Sequence, residues 1–69
     1  MKQLQLIRKI RGYKSARAFA EANGFSVSTY TAYEQGQHEP DLKTLCLLAD
    51  ILDCTTDQIL GRVPISVHL

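Results

Sequence analysis

Residues 19–36, "FAEANGFSVSTYTAYEQG", decide the fold of this chain. Asn23 and Gly24 are the residue types that best tolerate a left-handed backbone, so they predict the end of one helix and a tight turn. Ser26 then offers a side-chain oxygen that can cap a second helix, and Gly36 predicts where that helix stops. Two short helices joined by a glycine-containing turn of three or four residues form a helix-turn-helix.

Three further helices are predicted around this pair. Apolar residues recur at spacings of three and four before Gly12 and again after Pro40, which is the spacing of one helix face. Thr55 and Gln58 have the spacing of a capping box, which begins a last short helix that Gly61 ends. The apolar stripes comprise Leu4, Ile7 and Ile10 or Arg11 in the first helix, and Leu42, Leu45, Leu48, Ala49 and Leu52 in the fourth.

The pattern divides the chain into a domain and a tail. Residues 1–61 are predicted to form one compact, all-α domain of five helices, and residues 62–69 a short C-terminal extension. Apolar residues alternate with others in this extension, but Pro64 limits it to an edge strand or an extended arm.

The composition is that of a folded domain, with 45% hydrophobic and 22% charged residues. No apolar run approaches the roughly 20 residues of a membrane span, and the charged amino end is unlike a secretory signal. We therefore expect a soluble, cytoplasmic protein with no membrane partner. Cys46 and Cys54 lack the spacing of a zinc site, and His38 and His68 do not complete one, so no metal is predicted. No other cofactor and no small-molecule ligand is indicated.

Charge is segregated along the chain, although the formal net charge is only +1. Residues 1–17 hold Lys2, Arg8, Lys9, Arg11, Lys14 and Arg17 and no acid, whereas all seven acids lie from Glu21 onward. This basic region can face phosphate. A solvated basic helix has the same composition, so the pattern leaves both interpretations open.

The order of these features resembles the phage-repressor and Cro type of helix-turn-helix transcriptional regulators, the XRE family. The resemblance covers residues 4–61, and "EPDLKTLCLLADILDCTTDQILG" at 39–61 is similar to the family's proline, capped fourth helix and closing short helix. It implies a lambda-repressor-like fold and a sequence-specific regulator that binds double-stranded DNA as a homodimer. Repression is the expected activity, with helix 26–35 inserted in the major groove.

The resemblance also implies roles for individual residues. Ser26 matches the cap of the recognition helix, and Arg8 and Glu34 match a buried ion pair that supports this helix. Lys9 or Arg11 is a further candidate for phosphate contact. The predicted DNA-binding residues are Lys14 and Arg17 at phosphates, Ser26 at the helix start, Val27, Ser28 and Ala32 at base edges, and Thr31 at a base edge or a phosphate.

The chain departs from the family pattern at the predicted DNA face. Val27 and Ala32 stand where well-known members often carry glutamine, and they would contact thymine methyl groups instead of gripping adenine. Ala16 replaces a glutamine that often anchors the DNA backbone, and Glu39 lies in a loop that is often basic. We therefore expect modest direct readout and few phosphate contacts, which dimerisation would offset.

A dimerisation surface is predicted from apolar residues outside the core stripes. Leu47 and Ile51 lie one turn apart and off the stripe of the fourth helix, and Val63, Ile65 and Val67 extend the patch into the tail. The alternative is that the tail packs back on its own domain and covers these residues.

Two classes of function remain after these observations. The first is the DNA-binding regulator, and the alternative is a protein-protein interaction module on the same fold, for example an antitoxin-like or regulatory partner subunit, with weak DNA binding. An enzyme is not expected, because Glu21, Glu34 and the histidines are scattered over a domain too small to enclose a substrate.

Overall fold

A computed structural model describes residues 1–63, apart from the side chain of Lys2. It contains five α-helices and, within these residues, no strand. The helices are α1 (Lys2–Ile10), α2 (Ala16–Asn23), α3 (Val27–Gln35), α4 (Leu42–Leu52) and α5 (Thr56–Leu60). The predicted all-α, five-helix fold is therefore confirmed. Ile65 and Val67, two of the predicted dimerisation residues, lie outside the described residues.

Side-chain caps begin four of the helices and set their first residues. Each cap accepts a hydrogen bond from a backbone N–H three residues further on; the caps are Ser15, Ser26, Asp41 and Thr55. Hydrogen bonds from the side chain and the backbone amide of Thr44 hold the pKa of Asp41 below its usual range. Thr55 and Gln58 form the predicted capping box, with donor-acceptor distances of 3.0 and 2.9 Å.

The core is a single apolar cluster with an aromatic centre. Phe19 of α2 and Tyr30 of α3 are fully buried, and their ring centroids lie 4.7 Å apart. The ring of Tyr13 meets Phe19 edge-on at 4.9 Å, and the ring of Phe25 stacks on Phe19 at 6.1 Å. The aliphatic part of the cluster comprises Leu4, Ile7, Ala20, Leu45, Leu48, Ala49, Leu52 and Ile59. The aromatic packing fixes α2 against α3, so the helix pair is held by the core itself.

The structure corrects the predicted apolar stripes at both ends of the chain. Leu42 was predicted to face the core but is 76% exposed, because it is the first residue of α4 and the buried stripe starts one turn later at Leu45. At the end of α1, Arg11 is half-buried whereas Ile10 is 42% exposed, which decides between the two alternatives. Arg8, predicted from periodicity to lie off the stripe, is only 3% exposed.

Candidate nucleic-acid interface

The turn between α2 and α3 is fixed by its own backbone. Gly24 adopts the left-handed conformation, with φ at +76°, and the N–H of Phe25 donates to the carbonyl of Ala20 at 2.9 Å. The side-chain amide of Asn23 donates to the carbonyl of Phe19 at 2.9 Å. An added Cβ at Gly24 would meet nothing within 4 Å, so backbone conformation rather than crowding requires the glycine. Ser26 caps α3 immediately afterwards, and the two helices form a helix-turn-helix.

The outer surface of α3 carries small hydroxyl side chains. Ser26, Ser28 and Thr29 are exposed, and the hydroxyl oxygens of Ser26 and Ser28 lie 3.2 Å apart. Val27 and Thr31 are half-buried, and Val27 also packs against the core. Thr29 was not among the predicted DNA-binding residues, but it is exposed like Ser28. This side of α3 therefore presents hydrogen-bond donors and acceptors without bulk.

Ala32 was predicted to contact a base edge, but the structure leaves little of it accessible. The residue is only 7% exposed. Its carbonyl oxygen accepts hydrogen bonds from the N–H groups of Gln37 at 3.0 Å and His38 at 3.4 Å, which satisfy this carbonyl at the carboxyl end of α3. Its predicted contact with a base edge stays a prediction, and it has little surface with which to make one.

A buried ion pair supports α3 from behind. The guanidinium of Arg8 is paired with the carboxylate of Glu34 through Nε–Oε2 at 2.6 Å and Nη2–Oε1 at 3.3 Å. The side chains are 3% and 7% exposed. Arg8 also donates from Nη1 to the carbonyl of Tyr13 at 2.7 Å, so one side chain joins α1, α3 and the segment before α2. Such bidentate, charge-assisted contacts fix geometry as well as distance.

The Tyr30 hydroxyl lies beside this ion pair. It is buried and, among the described residues, has no hydrogen-bond partner of good geometry. Burial raises the pKa of Tyr30 well above the usual tyrosine range, and the nearby Glu34 carboxylate raises it further. Tyr30 therefore anchors α3 in its neutral form.

A second contact holds the carboxyl end of α3. The amino group of Met1 donates to the carbonyl oxygens of Tyr33 at 3.0 Å and Glu34 at 2.7 Å. A positive group at the carboxyl end of a helix satisfies unpaired carbonyls and complements the helix dipole. No side-chain pattern in the sequence could have indicated this contact, because it is made by backbone groups of residues distant in the chain.

Two of the six basic residues in 1–17, Arg8 and Arg11, are used inside the protein. Arg8 is buried in its ion pair, and the guanidinium of Arg11 donates to the carbonyls of Leu52 at 2.7 Å and Asp53 at 2.8 Å, where it completes the carboxyl end of α4. Lys9, Lys14 and Arg17 are the exposed cations of this region among its described side chains. The interpretation that the whole region faces phosphate therefore does not hold for Arg8 and Arg11.

Arg17, predicted as a phosphate contact, already has a charged neighbour. Its guanidinium Nη1 lies 3.5 Å from Oε2 of Glu21, one helical turn later in α2. Both side chains are largely exposed, at 71% and 61%. Lys14 is exposed in the segment before α2 and forms no ion pair with any described residue.

Several exposed apolar side chains lie outside the helix-turn-helix. Of the predicted dimerisation residues, Leu47 is 48% and Val63 39% exposed, whereas Ile51 is half-buried and packs against the core. Leu42 and Leu60 are also exposed and line an open, mainly apolar cavity of about 510 Å³ between the starts of α1 and α4 and the end of α5. Such surfaces are typical of interaction sites.

Catalytic and metal-binding arrangements were not predicted, and the described residues include no group of three potential metal ligands. Cys46 is exposed, Cys54 is half-buried, and both are free thiols. No helix in residues 1–63 is long and apolar enough to cross a membrane.

These features define a helix-turn-helix domain, and comparison with known proteins agrees. The Helix-turn-helix family model matches residues 4–59, so the chain belongs to this family and the predicted resemblance is confirmed. It is 40% identical over 60 residues to the HTH-type transcriptional regulator AnsR of Bacillus subtilis, covering 87% of this chain and 51% of that protein. It is 41% identical over 58 residues to a prophage-derived uncharacterized HTH-type transcriptional regulator, YonR, of the same organism, covering 84% and 53%.

A third relative, the uncharacterized HTH-type transcriptional regulator YqaE of Bacillus subtilis, is 46% identical over 41 residues, or 59% of this chain and 35% of that protein. The chain thus spans about half the length of the first two relatives. No solved structure matches it significantly.

Proposed function

We propose that this chain is a sequence-specific regulator that binds double-stranded DNA as a homodimer and represses transcription. One observation carries the proposal: α3 has an outer surface of small exposed hydroxyl groups and an inner surface fixed by the buried pair of Arg8 and Glu34. A helix held rigidly in the body of a domain, with a narrow polar outer face, fits the major groove, which is about 12 Å wide. The three relatives named as transcriptional regulators support the same function.

In this mechanism, α3 enters the groove and α2 lies across the DNA backbone. Ser28 and Thr31 meet base edges, Val27 packs on thymine methyl groups, and the hydroxyl of Ser26 contacts a phosphate at the helix start. Lys14 and Arg17 contact phosphates and set the register of the domain on the duplex. Ala32 has only a marginal part, because 7% of it is exposed.

A single domain with so few free cations needs a second copy to bind tightly. We propose a dimer formed by Leu47, Ile51 and Val63, with residues 62–69 as an arm that includes Ile65 and Val67. Two copies related by a two-fold axis would recognise half-sites one helical turn, about 34 Å, apart. Occupation of such an operator would block transcription, and a regulator of this kind would act in the cytoplasm. No catalytic role is proposed.

Selection of bound sites from random duplex DNA tests this function directly. We expect enrichment of a two-fold symmetric sequence with half-sites one helical turn apart. Ser28→Ala should change the preferred base at one position of each half-site, whereas Lys14→Ala should weaken binding to all sequences alike. Lys43→Ala, which removes an exposed positive charge from α4 outside the helix-turn-helix, is the matched control and should change neither. If no sequence is enriched, the proposed DNA function is wrong.

A protein-interaction module with weak DNA binding is the second candidate. The observation that favours it is the scarcity of free cations near α3 together with the exposed Leu42, Leu47 and Leu60. Mobility-shift titration at low salt separates the two candidates. No shift at low salt, together with a stable complex with another protein, would favour the second.

A further inference from the structure

We infer that Glu21 is an internal competitor for DNA phosphate at Arg17 and thereby lowers the affinity of the domain for all DNA sequences. The inference rests on the proposed DNA function and adds to it a residue that reduces binding. Glu21 was not among the predicted DNA-binding residues, and its type argues against phosphate contact. Its place in α2 gives it this role, because it lies one turn after Arg17 on the exposed side of the helix.

The geometry of the pair supports competition rather than a fixed structural role. Nη1 of Arg17 is 3.5 Å from Oε2 of Glu21, and neither group appears among the side-chain hydrogen bonds that fix the fold. Both side chains are mostly in water, at 71% and 61% exposed, so the pair can open at little cost. A guanidinium that approaches a phosphate must leave the carboxylate or hold both anions at once.

This contrasts with the other arginines near the amino end. Arg8 is 3% exposed and fixed by Glu34, and Arg11 is bonded to two backbone carbonyls. Because these two guanidinium groups take part in the fold, freeing either of them for DNA would disrupt the packing of the domain. Arg17 is different because its partner is on the surface, and removal of the Glu21 charge leaves the helix intact.

Replacement of Glu21 by glutamine should therefore tighten DNA binding. The variant keeps the size of the side chain and removes its charge, so Arg17 becomes free and one repulsion of phosphate is lost. We expect affinity to rise about twofold to fivefold per protomer at low salt, the range that measured surface ion pairs allow. The gain should be equal for operator and non-operator DNA, since phosphate contacts carry no sequence information, and it should shrink as salt is raised.

The experiment measures binding by fluorescence anisotropy on an operator and a non-operator duplex at several salt concentrations. The proteins compared are wild type, Glu21→Gln, Arg17→Ala, Lys14→Ala and the double variant of Glu21→Gln with Arg17→Ala. Asp50→Asn is the matched control, because it makes the same charge change at an exposed position of α4 away from the helix-turn-helix. We expect Glu21→Gln to bind more tightly than both wild type and Asp50→Asn. In the Arg17→Ala background the same change should have much less effect.

The outcomes separate this inference from the DNA function on which it rests. If Arg17→Ala and Lys14→Ala both leave binding unchanged, the assigned DNA face is wrong and Glu21 has no such role. If Arg17→Ala weakens binding but Glu21→Gln also weakens it, the carboxylate positions Arg17 and the inference is overturned. A gain from Asp50→Asn equal to that from Glu21→Gln would also overturn it, since net charge would then explain the effect.

Discussion

At the scale of single residues, the side chain of Arg8 joins three parts of the fold. It pairs with Glu34 at 2.6 Å and donates to the Tyr13 carbonyl at 2.7 Å, and it is 3% exposed. Arg8→Met would leave the Glu34 carboxylate buried without its partner. We expect this change to lower the free energy of unfolding by about 3 kcal/mol or more, measured by urea denaturation.

The control for this prediction removes both charges. Because the cost of Arg8→Met lies in the unpaired carboxylate, the double variant Arg8→Met with Glu34→Leu should be more stable than the single variant. If the double variant folds, its affinity for DNA also shows whether the ion pair is needed for DNA binding as well as for folding. Equal instability of the single and double variants would contradict the argument.

The Tyr30 hydroxyl gives a prediction for alkaline solution. Its pKa is raised in the folded state by burial and by Glu34, so the folded protein resists losing this proton more than the unfolded chain does. Stability from this group is full below the unfolded tyrosine pKa of about 10 and is lost as pH rises above it. We expect the free energy of unfolding to fall above about pH 10, and to fall less steeply in Tyr30→Phe.

The same substitution should be well tolerated at neutral pH. The hydroxyl is buried and has no hydrogen-bond partner among the described residues, so its loss removes a desolvated polar group. Tyr30→Phe should leave the free energy of unfolding unchanged or raise it by up to about 1 kcal/mol. A loss of more than about 1 kcal/mol would mean that the hydroxyl is bonded in solution.

At the scale of secondary-structure elements, the turn of the helix-turn-helix depends on the conformation of Gly24. Its φ is +76°, and a Cβ would meet nothing within 4 Å, so substitution costs strain but causes no clash. Gly24→Ala should lower the free energy of unfolding by about 1 kcal/mol. Gly24→Asn should cost less, because asparagine tolerates the left-handed region. Both should bind DNA normally once folded, and a large loss of DNA affinity would show that crowding at this turn matters.

Helix ends were predictable from the sequence because their signals are local. Ser26 and Thr55 cap the helices that they were predicted to cap, since a cap needs only a backbone N–H three residues away. Ser15 and Asp41 cap α2 and α4 in the same way. Gly24 likewise ends α2 through its own φ. The resemblance to a known family identified the partners Arg8 and Glu34, although helical spacing alone had left Arg8 off the apolar stripe of α1.

Exposure at the ends and edges of helices was less predictable, because it depends on what packs there. Leu42 matches the apolar spacing of α4 but lies outside the core, and Ala32 is almost fully buried although it was predicted to contact DNA. Which basic side chains bond inside the fold and which stay exposed was equally difficult to predict. Arg11 and Lys14 look alike in the sequence, and only the approach of the α4 carboxyl end to Arg11 distinguishes them.

At the scale of the whole molecule, the distribution of charge sets how strongly DNA binding depends on salt. The sequence places six basic residues before position 18, but the structure uses Arg8 and Arg11 internally and pairs Arg17 with Glu21. Each phosphate neutralised contributes about 0.9 to the slope of log affinity against log salt. A dimer with few free cations should therefore show a shallow slope.

The comparison of Lys14 with Arg11 tests this view of the molecule. Lys14→Ala should reduce the magnitude of the slope by about 1.8 for a dimer, twice the contribution of about 0.9 from one phosphate contact. Arg11→Met should leave the slope unchanged, because its guanidinium bonds to the carbonyls of Leu52 and Asp53, although it should lower the stability of the domain. Both variants lose one positive charge from the same region, so net charge cannot account for a difference between them. Equal reductions of the slope would show that Arg11 reaches the phosphates in the complex and that its bonds to α4 open when DNA binds.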